Sequence, residues 1–595
     1  MCAIFGILGT YNSLQAKRAL ATMTHRGPDF CGIVEEARLF FAHHRLSIVD
    51  TRAKAHQPLR HQQVLISFNG EIYNYKALKE QLHYRFTTHS DAEVVLAAYL
   101  QYGVDFVHYL RGMFAIAIVD GDRLYLFRDR FGKKPLYYHH RDNTLVFASE
   151  IKAITPFLKR IRMNHDALLS YLSYLAPTPP HTFYEGIHKL EAGCYLLYEH
   201  GTIHTHSYYD LTAQNLSAGH QSTEALLRES IALRLQADVP VAGLLSGGID
   251  SAMIAAIARE QIRDFSTFTL GYRDYGAYDE RANAAETARY LGVNNCSVEM
   301  NQADFMEVLP KVLETLDEPL NDPAAVPLFW LFQEIQRQGY KVVLSGEGSD
   351  EIFLGYRHYR EYAEIESLAG LHNKNWIRKY FRSNFSMNRE WEWYKRIFCE
   401  QLLFRTSGER FSDLQQNMLL RRNVKDNHSY DYLQPFRERF LASQYADDAT
   451  FWYSYIDLKL FQAEHFLMKL DKVSMAHSIE ARTPFLDHHL VEKVLAYDAS
   501  ERLRYPEMKR LLKELARGYL HNTTIARKKK GFSNPYMEYL TASGGINLIT
   551  EVNQQSGLFR DDVLQTYLQK ARKGRFKHHV WGLYVLSYWM KRHLL

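Results

Sequence analysis

The chain begins MCAIFGILG (residues 1–9), with a cysteine directly behind the initiator methionine and an apolar run after it. In one interpretation Cys2 is a small apolar residue at the start of a buried strand, because free cysteine is among the most buried residue types. In the other, the methionine is removed and Cys2 becomes the first residue. Its thiol would then be a nucleophile, and the α-amine on the same carbon would be its base. Only the residues that follow can decide between these interpretations.

The composition is that of an ordinary folded protein. The chain has 595 residues with a net charge of +5, which predicts about two to four domains and is too dilute a charge to indicate a nucleic-acid partner. The five cysteines form no Cys-x-x-Cys pair, which favours a reducing compartment over a disulfide framework or a zinc site. No apolar run approaches a membrane span of about 18 residues, and the N-terminus makes a poor signal peptide. We therefore expect a cytoplasmic protein without a membrane partner.

The pattern of residues changes near position 210. From residue 1 to 209, short apolar runs between turn residues predict a β-rich domain, interrupted by helices at YKALKEQLHYR (75–85) and DAEVVLAAYLQYG (91–103). The polar segment AQNLSAGHQST (213–223) predicts a linker, which we place at residues 210–222. Residues 223–595 then predict an α/β domain, in which a strand, a glycine turn and a helix follow one another in PVAGLLSGGIDSAMIAAIARE (240–260) and again in YKVVLSGEGSDEIFLGY (340–356).

Several residues behind Cys2 could bind an amino acid and stabilise an oxyanion. Arg45 stands at the edge of an apolar run, where its guanidinium could grip a carboxylate. Asn69 and Gly70, at a predicted strand end, could supply two oxyanion donors, and Glu71 and Asp91 could hold an ammonium group. Each has an ordinary alternative: a surface ion pair for Arg45, a hairpin turn for Asn-Gly and a helix cap for Asp91. Taken together behind a cysteine, they predict hydrolysis of a side-chain amide through a thioester, with release of ammonia.

The glycine turns of the second half predict a nucleotide site. Backbone N–H groups of LLSGGIDS (244–251) could cradle an anion at the start of a helix, and the absence of a GK[ST] ending favours pyrophosphate binding over hydrolysis of a γ-phosphate. Asp250, together with Glu347, Asp350 and Glu351 of LSGEGSDE (344–351), offers hard oxygen ligands for a magnesium nucleotide. In ARKKKGFSNP (526–535), one inward lysine could neutralise a phosphoryl oxygen. The alternatives are a serine-capped tight turn and a solvated basic face.

In this order the motifs closely resemble those of the glutamine-dependent asparagine synthetases of the class-II amidotransferase family. The resemblance covers nearly the whole chain and rests on MCAIFGI, HRGPD (25–29), RLSIVD, NGEIYN, HSDAEV, RDRFGKKPLYY (128–138), SGGIDS, SGEGSDE, KLDKVSMAHSIEARTPFLD (469–487) and RKKKGFSNP. It implies an α+β N-terminal nucleophile hydrolase sandwich of four layers (αββα), followed by an α/β domain of the ATP-pyrophosphatase type.

The resemblance also implies roles for individual residues. The catalytic set is Cys2, Asn69, Gly70, Glu347 and Lys529. The glutamine pocket is Arg45, Leu46, Ser47, Ile48, Val49, Asn69, Gly70, Glu71 and Asp91. The ATP contacts are Leu245, Ser246, Gly247, Gly248, Ile249, Asp250, Ser251, Leu270, Ser345 and Gly346. The magnesium (Mg²⁺) ligands are Asp250 and Asp350.

The implied reaction converts L-aspartate to L-asparagine. The β-carboxylate attacks the α-phosphate of ATP, giving β-aspartyl-AMP and pyrophosphate, and ammonia released from L-glutamine displaces AMP after passing through an internal tunnel. A homodimer is also implied. Residues 356–450 match no motif by inspection, so a tailoring amidotransferase that amidates another carboxylate is the second hypothesis. A non-catalytic nucleotide or glutamine sensor is the third, and the presence of the whole catalytic set argues against it.

Overall fold

The structure, a computed structural model, describes residues 2–217, 219–366, 368, 375–384, 386, 388–503, 507–528 and 531–595. We refer to residues 2–209 as the N-terminal region and to residues 223–595 as the C-terminal region. Within the described residues, no helix is long and apolar enough to cross a lipid bilayer.

The N-terminal region contains two antiparallel sheets of six strands each. The first has the order β10-β8-β9-β1-β3-β2, and the second has the order β12-β11-β7-β6-β5-β4. The strands are β1 (Ala3–Leu8), β2 (Phe30–Glu36), β3 (Leu39–Arg45), β4 (Leu59–His61), β5 (Val64–Ile72), β6 (Gly112–Asp120), β7 (Arg123–Arg128), β8 (Tyr137–Arg141), β9 (Thr144–Ala148), β10 (His188–Lys189), β11 (Cys194–Glu199) and β12 (Thr202–Ser207). The helices are α1 (Ser13–Ala21), α2 (Tyr75–Lys79), α3 (Asp91–Tyr102) and α4 (His165–Tyr174).

Alternation along the strands produces four layers. In β1, Phe5 and Ile7 pack with Leu20 of α1, whereas Ile4 points into the core between the two sheets. In β5, Leu65 joins that central core, and its neighbours on the strand pack against α3 on the outer face. Because successive side chains of a strand point to opposite faces, both sheets are apolar on both sides and need a helical cover. The predicted αββα sandwich is confirmed.

The C-terminal region is built on a parallel five-stranded sheet with the order β15-β14-β13-β16-β17. Its strands are β13 (Val241–Leu244), β14 (Ser266–Tyr272), β15 (Asn294–Met300), β16 (Val342–Leu344) and β17 (Glu480–Arg482). The chain runs outward from β13 through β14 to β15 and then returns to place β16 on the other side of β13. This reversal creates a switch point, where open α/β sheets bind ligands at the carboxyl ends of the strands. The predicted α/β fold is confirmed.

Helices cover both faces of this sheet and form the rest of the C-terminal region. They are α5 (Thr223–Arg234), α6 (Ile249–Gln261), α7 (Arg281–Leu291), α8 (Gln302–Thr315), α9 (Ala325–Arg337), α10 (Ser349–Ile352), α11 (Arg357–Glu366), α12 (Asn375–Ser383), α13 (Arg389–Phe398), α14 (Asp413–Leu419), α15 (His428–Asp431), α16 (Gln434–Leu441), α17 (Ala449–Ile456), α18 (Leu467–Met475), α19 (His488–Leu495), α20 (Ala499–Arg502), α21 (Arg510–Ala516), α22 (Asn522–Ala526), α23 (Tyr536–Ala542), α24 (Asn547–Ser556), α25 (Asp561–Arg572) and α26 (Lys577–His593). A π-helical stretch, Asp457–Phe466, joins α17 to α18.

Three local predictions need correction. Helix α2 ends at Lys79 instead of near position 85, and the chain beyond it turns towards α3, where the His83 backbone N–H donates to Gln101 at 2.8 Å. The stretch RLFFAHHRLSIVD (38–50) predicts one strand, but β3 ends at Arg45, after which the chain forms a loop. Asn69 and Gly70 are not at the end of β5, because pairing with β6 continues to Ile72.

Buried ion pairs join the two regions. Asp471 of α18 pairs with Arg26 at 2.8 Å and with Lys134 at 3.1 Å, and Glu464 pairs with Arg128 at 2.9 Å. All five side chains have an exposed fraction of 3% or less. Separating the regions would leave these charges without partners in a poorly solvated interior, which is costly.

Removal of Asp487 should destabilise the protein strongly. Its carboxylate, fully buried, accepts hydrogen bonds from Arg111 at 2.8 Å and from Arg234 at 3.1 Å. Asp487→Ala leaves two buried guanidinium groups with fewer partners, and we expect a loss of about 3–5 kcal/mol in the free energy of unfolding. Urea titration followed by tryptophan fluorescence measures it.

The matched control is Glu36→Ala, which removes a half-exposed carboxylate paired with the half-exposed Arg60 at 2.6 Å. Exposed pairs contribute about 0–1 kcal/mol, so the urea midpoint of this variant should hardly change. Equal losses in the two variants would contradict the importance of the buried pair.

Candidate active sites

A narrow cavity lies beside Cys2. It is lined by Cys2, Arg45, Leu46, Ile48, Val49, Gln57, Phe68, Gly70, Glu71, Ser90, Asp91 and Glu480. Most of the residues predicted to bind glutamine are in this lining. Asn69 is outside it but touches the cysteine, since the Cys2 backbone nitrogen donates to Asn69 Oδ1 at 3.1 Å. Ser47 is also outside it, and its backbone N–H donates to Asp29 at 2.7 Å.

The surroundings of Cys2 provide unused donors. The Asn69 side chain is fully buried, and its Nδ2 has no hydrogen-bond partner among the described residues. Such an orphaned donor calls for an explanation, and a ligand oxygen would satisfy it. At position 70 a Cβ would lie 2.0 Å from the Met113 carbonyl oxygen, so only glycine fits there. Burial raises the pKa of the Cys2 thiol, and this outweighs the Leu46 backbone hydrogen bond, which lowers it.

Arg45 shapes the loop that follows β3. Its guanidinium donates to the carbonyl oxygens of Asp50 at 2.5 Å, Arg52 at 3.1 Å and Val49 at 3.3 Å. These bonds explain why the strand ends at Arg45. The side chain also lines the cavity, so the residue predicted to grip a carboxylate is held in place by the loop.

Three carboxylates of the cavity lining, those of Glu71, Asp91 and Glu480, lie near the guanidinium of Arg482. Burial raises the pKa of Asp91 to about 6, and burial together with Asp91 raises the pKa of Glu71 well above its usual range. Burial alone would raise the pKa of Glu480, but Arg482 and the other nearby positive charges together lower it. Glu71 Oε1 has no hydrogen-bond partner among the described residues. The excess of acceptors and of negative charge suits a ligand ammonium group.

Glu480 and Arg482 come from β17 of the C-terminal region, and the sequence analysis assigned them no role. Arg482 Nη2 lies 3.3 Å from Glu71 Oε2, and its Nε donates to Glu480 at 2.6 Å. Both residues stand in the quoted motif KLDKVSMAHSIEARTPFLD. This motif was the only sequence feature that could have singled out the two residues. The spacing of its residues does not show that β17 contacts a cavity of the N-terminal region.

A second cavity of about 580 Å³ lies at the carboxyl ends of β13 and β16. Its lining contains every residue predicted to contact ATP, together with Glu347 and Asp350: Leu245, Ser246, Gly247, Gly248, Ile249, Asp250, Ser251, Leu270, Ser345, Gly346, Glu347 and Asp350. Residues more than 90 positions apart in the chain meet here because β13 and β16 are neighbours in the sheet.

Serine hydroxyls fix the turn before α6. The Ser246 backbone N–H donates to Ser251 Oγ at 3.0 Å, and the Gly248 N–H donates to Ser246 Oγ at 3.2 Å. A Cβ at position 346 would lie 3.2 Å from the Asp250 Cβ, so the two glycine turns pack closely side by side. The N-terminus of α6 therefore faces the cavity and favours an anion there.

Asp250 and Asp350 converge on one buried cation, Lys509. The Lys509 Nζ lies 2.6 Å from Asp250 Oδ1 and 2.8 Å from Asp350 Oδ1. Burial opposes the charged ammonium, but the two carboxylates outweigh it and raise the pKa of Lys509. Paired carboxylates that share a cation are a suitable donor set for a hard divalent metal, whose other ligands would be phosphate oxygens and water. Lys509 itself was missed, since it follows no recognised motif.

The basic segment is only partly described. Lys529, the predicted catalytic lysine, and its neighbour Lys530 lie outside the described residues. Lys528 lines the second cavity, and Arg527 donates to the carbonyl oxygens of Asn283 at 3.1 Å and Gly247 at 3.4 Å behind the glycine turn. A further lysine, Lys469, lines the cavity with its Nζ 4.0 Å from Glu347.

Comparisons with known proteins agree with this arrangement. Residues 1–209 match the family model of the glutamine amidotransferase domain, and residues 222–591 match that of asparagine synthase. Asparagine synthetase [glutamine-hydrolyzing] 1 of Bacillus subtilis is 31% identical over 99% of this chain and 96% of its own length. Asparagine synthetase B of Escherichia coli is 33% identical over 62% of this chain and 67% of its own length. Amidase chry2 of Gibberella zeae is 28% identical over 88% of this chain and 85% of its own length.

The asparagine synthase model matches more than half of the chain, and the Bacillus subtilis relative aligns over nearly the whole of it. The chain belongs to the asparagine synthase family and is a glutamine-dependent amidating enzyme.

Proposed function

We propose that this enzyme converts L-aspartate to L-asparagine with ammonia from L-glutamine and energy from ATP. The observation that carries the proposal is the pair of cavities, one around Cys2 and one around the SGGIDS turn, each lined by most of the residues predicted for its chemistry. Aspartate is chosen as the acceptor because the relative that aligns over nearly the whole chain is named an asparagine synthetase. We divide the chain into a glutaminase domain (1–209), a linker (210–222) and a synthetase domain (223–595), and we place the enzyme in the cytoplasm, as a homodimer.

In the first cavity, removal of Met1 gives Cys2 a free α-amine. The amine takes the thiol proton, and Sγ attacks the carboxamide carbon of glutamine. Asn69 Nδ2 and the Gly70 N–H stabilise the oxyanion, and the Asn69 Oδ1 that accepts from the Cys2 nitrogen at 3.1 Å orients the amine. The C–N bond breaks, ammonia leaves with the transferred proton, and water hydrolyses the thioester to glutamate.

The same cavity recognises the two charged ends of glutamine. Glu71 and Asp91 receive its α-ammonium group, which the excess negative charge attracts. Arg45 receives its carboxylate at the wall formed with Leu46, Ile48 and Val49. Burial strengthens both contacts, because charges interact more strongly away from water.

In the second cavity, the N-terminus of α6 and the glycine turn before it bind the phosphates of ATP. Asp250 and Asp350 would hold Mg²⁺, which neutralises phosphate charge when bound. The aspartate β-carboxylate attacks the α-phosphorus, the bond to pyrophosphate breaks, and ammonia then displaces AMP from the acyl carbon. Lys509, Lys469 and, by resemblance, Lys529 supply positive charge, and Glu347 stands where the acyl-adenylate forms.

A second candidate is amidation of a different carboxylate. Two fungal relatives named amidases, from Gibberella zeae and Penicillium rubens, are 28% and 29% identical and each align over 88% of this chain. Their names favour no particular acceptor here.

Incubation of methionine-processed enzyme with glutamine, Mg-ATP and aspartate tests the proposal. We expect asparagine by mass spectrometry, with AMP and pyrophosphate formed only when aspartate is present. Glutamate release without asparagine or AMP would leave the glutaminase reaction intact, reject aspartate and direct the search to other carboxylates.

Replacement of the nucleophile should separate the two reactions. Cys2→Ala removes the thiol and should lower glutamine-dependent synthesis by at least about 1,000-fold, because covalent catalysis is lost. Synthesis from ammonium chloride should stay within about twofold, since the second cavity is unchanged. Cys31→Ala, which removes an exposed cysteine, serves as the control and should retain both reactions. Glutamine-dependent turnover by Cys2→Ala would contradict the assignment.

Glutamine binding should weaken in acid. The pKa of Asp91 is raised to about 6, so its carboxylate is charged above that pH and loses its attraction for the α-ammonium below it. In a Cys2→Ala background, which removes the chemistry, the Kd of glutamine should rise as the pH falls from 7 to 5, approaching about tenfold per unit. Titration calorimetry measures it. The additional change Asp91→Asn should raise Kd at pH 7 and flatten this profile, and an unchanged profile would rule Asp91 out.

A further inference from the structure

We propose that Arg482 couples the two active sites, with its side chain positioning Glu71 in the glutamine cavity and its backbone holding the turn that binds ATP. Occupation of one cavity then changes the affinity of the other. This inference rests on the proposed function only in assigning glutamine to the first cavity and ATP to the second. The identity of the acceptor does not enter.

Two neighbouring strands connect the cavities. Strands β16 and β17 run parallel, with Val342 opposite Glu480 and Leu344 opposite Arg482. At their amino ends, Lys341 Nζ pairs at 2.9 Å with Asp29, the same carboxylate that accepts from Ser47 in the loop of the glutamine cavity. At their carboxyl ends they reach Ser345, the first residue of the second glycine turn. Glu480 of β17 lines the glutamine cavity and Ser345, directly after β16, lines the ATP cavity, so the paired strands reach both.

The backbone of Arg482 belongs to the ATP side. Its carbonyl oxygen accepts the Ser345 N–H at 2.8 Å, and Ser345 itself lines the nucleotide cavity. At the other end of β17, the Glu480 N–H donates to the Lys341 carbonyl oxygen at 2.8 Å. A strand of three residues at the edge of a sheet is held by few bonds, so its position depends on the turn beside it.

The side chain of Arg482 belongs to the glutamine side. It is fully buried, and its Nη1 donates to the carbonyl oxygens of Arg234 and Gln236, both at 2.8 Å. Its Nε pairs with Glu480 at 2.6 Å, which leaves Nη2 facing Glu71 Oε2 at 3.3 Å. The rigid fork of the guanidinium therefore transmits the position of β17 to a carboxylate of the cavity.

This contact is incomplete without a ligand. Neither Arg482 Nη2 nor Glu71 Oε1 has a well-formed hydrogen bond among the described residues, although both are buried. An ammonium group that binds Glu71 would satisfy Oε1 and share the charge that now faces Arg482. Partly satisfied buried networks are sensitive to small shifts, so fixing β17 from the nucleotide side should prepare Glu71 for glutamine.

The experiment measures glutamate release with and without Mg²⁺ and an ATP analogue whose α,β-bridge is a methylene group, which prevents the adenylation step. For the unaltered enzyme, the analogue should lower KM for glutamine by at least about fivefold, a typical coupling between sites. In Arg482→Lys, which keeps the charge but loses the fork, the ratio of the two KM values should fall to about 1. Glu71→Gln breaks the same contact without changing β17, and it should also bring the ratio of the two KM values to about 1.

The matched control is Arg111→Lys, which alters another buried ion pair between the two regions, at 2.8 Å from Asp487. It should keep the ratio of the unaltered enzyme. Loss of the ratio in all three variants would mean that any weakening of the interface has this effect and would overturn the proposal. An unaltered ratio in Arg482→Lys or in Glu71→Gln would overturn it as well.

The reciprocal measurement distinguishes the two proposals. Coupling requires that glutamine lower the Kd of the ATP analogue by the factor by which the analogue lowers the Kd of glutamine. Calorimetry on Cys2→Ala can measure both values. If the enzyme makes asparagine but neither ligand changes the affinity of the other, the role of Arg482 is rejected and the proposed function stands. An enzyme that does not bind the analogue rejects the nucleotide site itself.

Discussion

Arg26, fully buried behind β1, pairs at 3.0 Å with Glu150 of its own region and at 2.8 Å with Asp471 of the C-terminal region, and it also donates to the Cys2 carbonyl oxygen at 3.2 Å. One guanidinium thus holds the backbone of Cys2 and joins the two regions. The arrangement is stable only as a whole, since a buried charge that loses its partner is costly. The position of Cys2 consequently depends on the presence of α18.

The chemistry explains why such a constraint is useful. Ammonia is a nucleophile only while it is unprotonated, and in neutral water most of it becomes ammonium. For the proposed transfer of ammonia between the two cavities, the buried and mutually paired charges between the regions would keep the cavities in a fixed relation. Arg482 follows the same principle on a smaller scale, because its side chain and its carbonyl oxygen contact different regions and different sites. Precise placement of two distant reactions requires such rigid connections.

The sequence predicted the parts that depend on local pattern. Short apolar runs indicated a β-rich first half, and the family resemblance implied its αββα layers. The glycine turns after β13 and β16 indicated a nucleotide site, because strand, turn and helix leave a local signature. Contacts between distant segments of the chain leave no such local signature. Through the pairing of β16 with β17, Glu480 reaches the cavity beside Cys2 and Arg482 reaches Glu71 of its lining, and Lys509 reaches Asp250 across 259 positions. Asn69 and Gly70 show a second limit of prediction from sequence. An Asn-Gly pair is typical of turns, but here it lies within β5, because pairing with β6 extends that strand to Ile72.

Lys509 has a consequence for the order in which charge enters the nucleotide cavity. With its ammonium between Asp250 and Asp350, Lys509 is the counter-ion of both carboxylates. Under the proposed function, a metal ion that bound these carboxylates would have to displace that ammonium. A metal bound to a polyphosphate would bring the anion to which the displaced lysine could turn. Its entry would then be an ion exchange in which both cations keep a partner, and this would favour the metal–nucleotide complex over the free metal.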